Sequence, residues 1–313
     1  MSTVSTYHTR RRSERLNLCS DLRATLLLCQ YSGLENLDEV QAFYDKNAQN
    51  EWDRLDRHRT EFAVALRALK DYLPHFPAEV LDVGGGPGRY SIALAKLGYR
   101  VSLLDLSEGC LQLAKKKAQE TGVSFAECLL GNATDLRRFR DSSFDVVLLM
   151  GPLYHLLDLD SREQAVKETH RVLKKNGLVF ATFITRYAPL RWSAKNEPQW
   201  LSQGKELLET GVWRPSATGV PSKARVGFTS SYFAHPAEVS PLMKRNGFED
   251  LDLIGCEGAI SMIEEKINEL KGDEFDSWVD LNYRLGKDLS LHGAAEHLLY
   301  VGRKHLKESS RNK

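Results

Sequence analysis

Three glycines at alternate positions, Gly84, Gly86 and Gly88, follow a short apolar run, Glu79 to Val83. A helical pattern comes next, Tyr90 to Leu97, with apolar Ile92, Leu94, Ala95 and Leu97. Glycine has no Cβ, so a backbone turn built from it lets a ligand come close. The helix N-terminus behind the turn favours negative charge. Strand, glycine turn and helix open a nucleotide-binding βαβ unit. A dinucleotide site would read G-x-G-x-x-G, but counting from Gly84 the last position is Arg89. By themselves the glycines also fit a merely tight strand-to-helix turn. A second apolar run, Tyr99 to Leu104, ends in Asp105. A carboxylate at the tip of a second strand can accept hydrogen bonds from both ribose hydroxyls. The competing reading is an aspartate capping the helix that begins near Ser107.

The spacing Gly84, Gly86, Gly88, followed by Asp105, resembles the first motifs of class I S-adenosyl-L-methionine-dependent methyltransferases of the small-molecule type. The resemblance runs from about Phe43 to the C-terminus. It implies S-adenosyl-L-methionine as cofactor and an α/β fold: a Rossmann-like, seven-stranded, mostly parallel sheet with helices on both faces, an N-terminal helical lid and an insertion after the fifth strand. The loop would curl under the amino-acid end of the cofactor. The implied cofactor-binding residues are Asp82, Gly84, Gly85, Gly86, Gly88, Asp105, Leu106, Asn132, Ala133, Met150 and, from the lid, Tyr44. In related enzymes the adenine amino group often meets an Asp directly after a glycine. Here Gly131 is followed by Asn132, a departure, although an Asn side-chain oxygen can still accept that bond. Asp135 competes for the role, or caps a short helix toward Phe139.

The acceptor end is read from the fourth strand, Phe144 to Met150, which opens into Gly151-Pro-Leu-Tyr-His-Leu156. In an open parallel sheet, ligands sit beyond the carboxyl ends of strands near the topological switch point. The six-residue loop resembles its counterpart in a subset of small-molecule methyltransferases, which makes Tyr154 and His155 the candidate catalytic residues. A histidine here suits a general base at neutral pH. Alternatively, one of the two packs under the next helix. The N-P-P-Tyr/Phe motif carried by nucleic-acid amine methyltransferases is absent after this strand.

These side chains need elements to hold them. A helical lead-in runs from Leu37 to Tyr72, where Tyr44 and Trp52 could close over the methyl-donor end and Arg54, Arg57 or His58 could reach a carboxylate. Solvated faces and plain core aromatics are the alternatives. Helices are expected at Ser107–Thr121, Ser161–Leu173 and Ala237–Arg245, with Gly177 as a left-handed cap after the second of these. Further strands are expected around Ser124–Leu130, Leu178–Ile184, Phe248–Ile254 and Leu298–Val301, the last two forming an antiparallel edge. Ile260–Leu270 and Phe275–Leu285 read as helices. The stretch Thr185–Ser231 is too long for a plain loop. Its Arg186, Tyr187, Trp192, Trp200, Trp213 and Phe228 read either as an aromatic acceptor pocket for a planar or cationic molecule, or as an accessory mini-core. Tyr232 and His235 are placed where they would line the pocket.

The expected organisation is a flexible basic arm over 1–36 and a methyltransferase domain over 37–313. Within the domain, 37–75 is the lid, 78–184 the cofactor core, 185–235 the insertion and 236–304 the rest of the sheet. The composition of the 313 residues, 42% hydrophobic and 27% charged with net charge +1, fits a globular chain and argues against a general polyanion binder. The five scattered cysteines show no zinc spacing, so free thiols and no metal are expected. No apolar stretch is long enough for a bilayer. The arginines at 10, 11, 12 and 15 lack the apolar run of a secretory signal and faintly resemble a mitochondrial transit peptide; a nucleic-acid role is a further alternative. The reading is therefore cytoplasmic methyl transfer to a nitrogen or oxygen of a small organic molecule or short peptide metabolite. It carries no nucleic-acid or membrane partner, in a monomer or homodimer. The alternatives are a protein or RNA methyltransferase, or a catalytically silent cofactor-binding module.

Overall fold

The computed structural model describes residues 37–198, 201–214 and 229–305. The expected basic arm, Trp200 and Phe228 lie outside the described residues. The chain opens with helix α1 over 37–57, followed by α2 (Arg59–Tyr72). The core then alternates strand and helix: β1 (Glu79–Val83), α3 (Arg89–Lys96), β2 (Arg100–Asp105), α4 (Glu108–Glu120), β3 (Glu127–Leu130), β4 (Phe144–Leu149), α5 (Leu159–Val172) and β5 (Leu173–Ile184). The insertion contributes α6 (Ala188–Asn196), α7 (Leu201–Thr210) and a small sheet of β6 (Val212–Trp213) and β7 (Ser231–Tyr232). After α8 (Pro236–Arg245) come β8 (Phe248–Gly255), α9 (Glu265–Glu269), α10 (Gly272–Leu285) and β9 (His297–Lys304).

The main sheet has seven strands in the order β3-β2-β1-β4-β5-β9-β8. β3, β2, β1, β4 and β5 are mutually parallel; β9 runs antiparallel to both β5 and β8. The order reverses between β1 and β4, so the loops leaving these strands diverge around one crevice. Alternate residues of the central strands serve two cores. Leu81, Val83, Val147 and Val179 pack with α5 and α8, whereas Val80, Val101, Val146 and Phe180 pack with α2, α3 and α10. Strands buried on both faces explain the nearly unbroken apolar runs.

Three boundaries differ from expectation. β5 starts directly at Leu173, and the left-handed residue after α5 is Asn176 (φ 61°), not Gly177. Asparagine tolerates that conformation. Gly177 answers a different demand: a Cβ there would lie 3.0 Å from the carbonyl oxygens of Asp145 and Lys174. The expected helix Ile260–Leu270 is a short 3-10 turn, Gly258–Ile260, then the brief α9, interrupted where Met262 is left-handed (φ 69°). The strand expected from Ser124 is confined to Glu127–Leu130.

Candidate active site

The crevice at the switch point is a cleft of about 990 Å³, counting the part open to solvent. Its floor is the turn after β1. Gly84 (φ 69°) and Gly86 (φ 55°) are left-handed, and the Gly84 N–H donates to Leu104 O at 2.7 Å, folding the turn onto β2. A Cβ on Gly84 would lie 2.5 Å from Pro152, so the loops after β1 and β4 touch at this point. A Cβ on Gly86 would instead enter the cleft, with Glu51 Cγ 4.0 Å away as its nearest neighbour. Gly85 also lines the cleft; Gly88 does not. Gly88 opens α3 (φ 84°) and packs on Ala114, where a Cβ would come within 3.2 Å, so its requirement is structural.

Two aspartates fix this loop. Asp82 sits beneath it, 1% exposed, accepting from Ser91 Oγ at 2.6 Å, and burial pushes its pKa up to about 7. Asp105 accepts the Gly86 N–H at 2.7 Å on Oδ2 and the Ser107 N–H at 2.8 Å on Oδ1. Ser107, not Asp105, caps α4, accepting the Cys110 N–H at 3.0 Å. Each Asp105 oxygen keeps a further acceptor site, and the residue lines the cleft. Its burial raises its pKa to about 6. Leu106, Asn132 and Ala133 line the cleft beside it. Asn132 Oδ1 accepts the Thr134 N–H at 3.0 Å, which shapes the loop and leaves one lone pair. Asp135 turns away to the exposed Arg137 and does not line the cleft.

At the far wall stand Met150, Tyr154, His155 and, from α1, Tyr44. Tyr44 Oη lies 3.0 Å from His155 Nε2, and Thr229 Oγ1 lies 3.0 Å from His155 Nδ1. Both ring nitrogens are thus engaged, and burial lowers the imidazole pKa to about 3. A histidine so placed stays neutral at physiological pH and orients Tyr44; this departs from the expected titrating general base. Burial likewise raises the Tyr44 and Tyr154 phenols, which remain protonated.

The lid divides unexpectedly. Arg54 and Glu51 line the cleft, with Arg54 Nε donating to Glu51 at 3.0 Å. Trp52 does not; its ring lies 4.7 Å from the Arg89 guanidinium carbon, outside the cleft. Arg57 reaches Asn50 O, and His58 pairs with Glu264 at 2.7 Å. Tyr232 and His235 are also elsewhere: His235 caps α8, Tyr232 bonds Glu238, and neither lines the cleft. The insertion forms a mini-core of Ile184, Ala188, Leu207 and Phe233, against which Tyr154, Leu190 and Trp213 pack. Among the described residues it reaches the site through Tyr154 and Thr229 rather than through a wall of aromatics. Glu51 and Thr229 escaped the sequence reading, as did Glu61, Glu257 and His297, which pair with one another and with Arg54 but do not line the cleft. A Glu–Arg pair three apart on α1 was the one local signal; Thr229 joins the site, and His297 its partners, only through folding.

Residues 81–181 match the methyltransferase domain family. The chain is 32% identical over 151 residues to a demethylmenaquinone methyltransferase of Leptospira interrogans, covering 46% of this chain and 57% of that one. It is 38% identical over 116 residues to a ubiquinone biosynthesis O-methyltransferase of Pasteurella multocida, covering 34% and 47%. The chain thus spans about half the length of these curated relatives. A ubiquinone biosynthesis O-methyltransferase of Thiobacillus denitrificans is matched more fully: 31% identity over 228 residues, 71% of this chain and 88% of that one. The chain belongs to the class I S-adenosyl-L-methionine-dependent methyltransferases. The methyltransferase fold is also seen in a solved structure from Methanosarcina mazei (TM-score 0.52, 22% identity, 77% and 98% covered) and in one from Thermotoga maritima (0.52, 21%, 84% and 99%). The family's cofactor fits the methyltransferase cleft on its own evidence: a side chain at Gly86 would fill it, and Asp105 offers acceptors to a diol. Cys110, Cys128 and Cys256 are free thiols. Among the described residues, no helix is long and apolar enough to cross a membrane.

Proposed function

We propose that the protein transfers the methyl group of S-adenosyl-L-methionine to a nitrogen or oxygen of a small organic molecule or short peptide metabolite. One observation carries this reading: the glycine loop and Asp105 share a single cleft with the hydroxyl groups of Tyr44 and Tyr154. When bound, the cofactor supplies an electrophilic methyl group and its own leaving group. The chain then has to hold the acceptor's lone pair in line and exclude water. In the tautomer with Nδ1 protonated, His155 donates to Thr229 and accepts from Tyr44. The Tyr44 oxygen is then open to an acceptor N–H or O–H. The names of the ubiquinone biosynthesis O-methyltransferase relatives support an oxygen acceptor. Net charge of +1 supports a metabolite over nucleic acid. The same reading places the protein in the cytoplasm, as a monomer or homodimer.

The test is calorimetric titration of S-adenosylhomocysteine into the wild type and Asp105→Ala, followed by an acceptor screen. Binding by the wild type, weakened about tenfold or more in the variant (~1.4 kcal/mol), is expected. A wild type that does not bind would overturn the reading.

A further inference from the structure

Behind Arg54 lies a chain of buried charge that the methyl-transfer chemistry does not use. Arg54 Nη1 and Nη2 donate to Glu61 at 2.6 and 3.1 Å. Glu61 Oε2 lies 3.7 Å from His297 Nδ1, which is 2.6 Å from Glu257 Oε1. Glu257 Oε2 accepts the backbone N–H groups of Glu296 and His297 at 3.2 and 2.8 Å. Glu61, Glu257 and His297 bring ligand-type atoms within 4.8 Å of one another, yet the Arg54 fork already supplies a cation to Glu61.

The side chains grow drier inward. Glu51 and Arg54 are each 26% exposed, Glu61 7% and Glu257 2%. A guanidinium has five N–H donors. Three are used on Glu51 and Glu61, so the two terminal nitrogens keep one each. Tyr90, on the same cleft wall, has a buried hydroxyl without a partner among the described residues. What faces the cleft here is thus a cation beside an anion. Asp105 and the 131–133 loop occupy the side suited to a nucleoside, which leaves this side to the remainder of the same molecule.

We propose that the Arg54–Glu51 pair receives the zwitterionic amino-acid end of the cofactor, and that Glu61, His297 and Glu257 are positioning residues that hold Arg54 in the cleft. The inference rests on the cofactor reading above. Arg54 takes the α-carboxylate and Glu51 the α-ammonium. Pairing with fixed charge in a poorly solvated site is stronger than in water. The fork on Glu61 prevents the long arginine side chain from wandering, so less freedom is lost on binding.

The probes are S-adenosylhomocysteine and 5′-methylthioadenosine, which shares the nucleoside and sulfur but lacks the amino acid. Calorimetry on the wild type should favour S-adenosylhomocysteine by about tenfold or more (~1.4 kcal/mol). Arg54→Met should bring the two ligands within about threefold. Glu61→Gln and His297→Gln should weaken S-adenosylhomocysteine about fivefold while 5′-methylthioadenosine binding holds. Should one of these two variants fail to fold, the other carries the comparison. Equal weakening of both ligands would reduce the chain to a structural role and overturn the proposal. So would a preference that survives Arg54→Met, or a wild type that binds both ligands equally. A wild type that binds neither ligand would overturn the cofactor reading itself.

Discussion

His155 shows how one residue's meaning depends on its neighbours. An isolated histidine titrates near pH 6.5, which suits a general base. Here the ring is 6% exposed and bonded on both nitrogens, to the Tyr44 and Thr229 hydroxyls. Burial disfavours the charged form, so the pKa falls to about 3. The expected outcome in an NMR pH titration is that the His155 ring resonances stay flat from pH 8 to pH 5. An inflection near 6.5 would restore the general-base role. His297 has the opposite fate. It is equally buried, but Glu61, Glu257 and Glu296 surround it, and its pKa rises to about 10.

At the scale of elements, His297 at the head of β9 joins Glu61 on α2 and Glu257 after β8, so its charge ties the lid's second helix to the sheet's antiparallel edge. The folded pKa lies above the ordinary value near 6.5. Its contribution is therefore fully present below pH 6.5 and is lost as pH rises toward 10. Glu61 acts on the acid side. Arg54 and His297 hold its carboxyl below the usual range against the opposing effect of burial, so its contribution is present above the ordinary value and lost in stronger acid. Denaturant unfolding should show wild-type stability falling between pH 6.5 and 10. His297→Gln should be less stable at pH 7 by roughly 1.5–3 kcal/mol, the worth of a hydrogen bond to a charged group, and should lack that part of the fall. A variant that parallels the wild type across this range would mean His297 is neutral. Lid contacts also include His58 with Glu264 and Arg59 with the carbonyls of Asn268 and Leu270, so α1 and α2 are anchored to the segment before α10.

For the whole molecule, the two cores share the central strands, since alternate residues of β1, β4 and β5 enter opposite faces. Neither face can lose its packing without exposing the sheet that supports the other. Described residues 37–198 and 229–305 should therefore melt as one cooperative unit. Ligand binding stabilises that unit by mass action. S-adenosylhomocysteine at about 100 times its Kd should add about 2.7 kcal/mol and raise Tm by roughly 5–10 °C for a domain of this size. Two transitions, only one of them moved by ligand, would show that the cleft and the sheet edge fold apart.

The sequence by itself determined the strand-turn-helix at Val80–Ile92, Asp105 at the tip of β2, and the succession of strands, because these are written in local periodicity and in glycine positions. Asp105 was legible as a cleft residue for the same reason, whereas Tyr44, Asn132 and Tyr154 were legible through the resemblance to the family. Local signals also misled. Trp52 and Arg57 sit on the same helix as Tyr44 but a different face, His235 is consumed as a helix cap, and Asn176 rather than Gly177 takes the left-handed turn. Only the tertiary structure decided the charge states of the site. Thr229, Glu257 and His297 are far in sequence from the residues they touch, and the pKa of a buried group is set by which charges fold against it, not by its place in the chain.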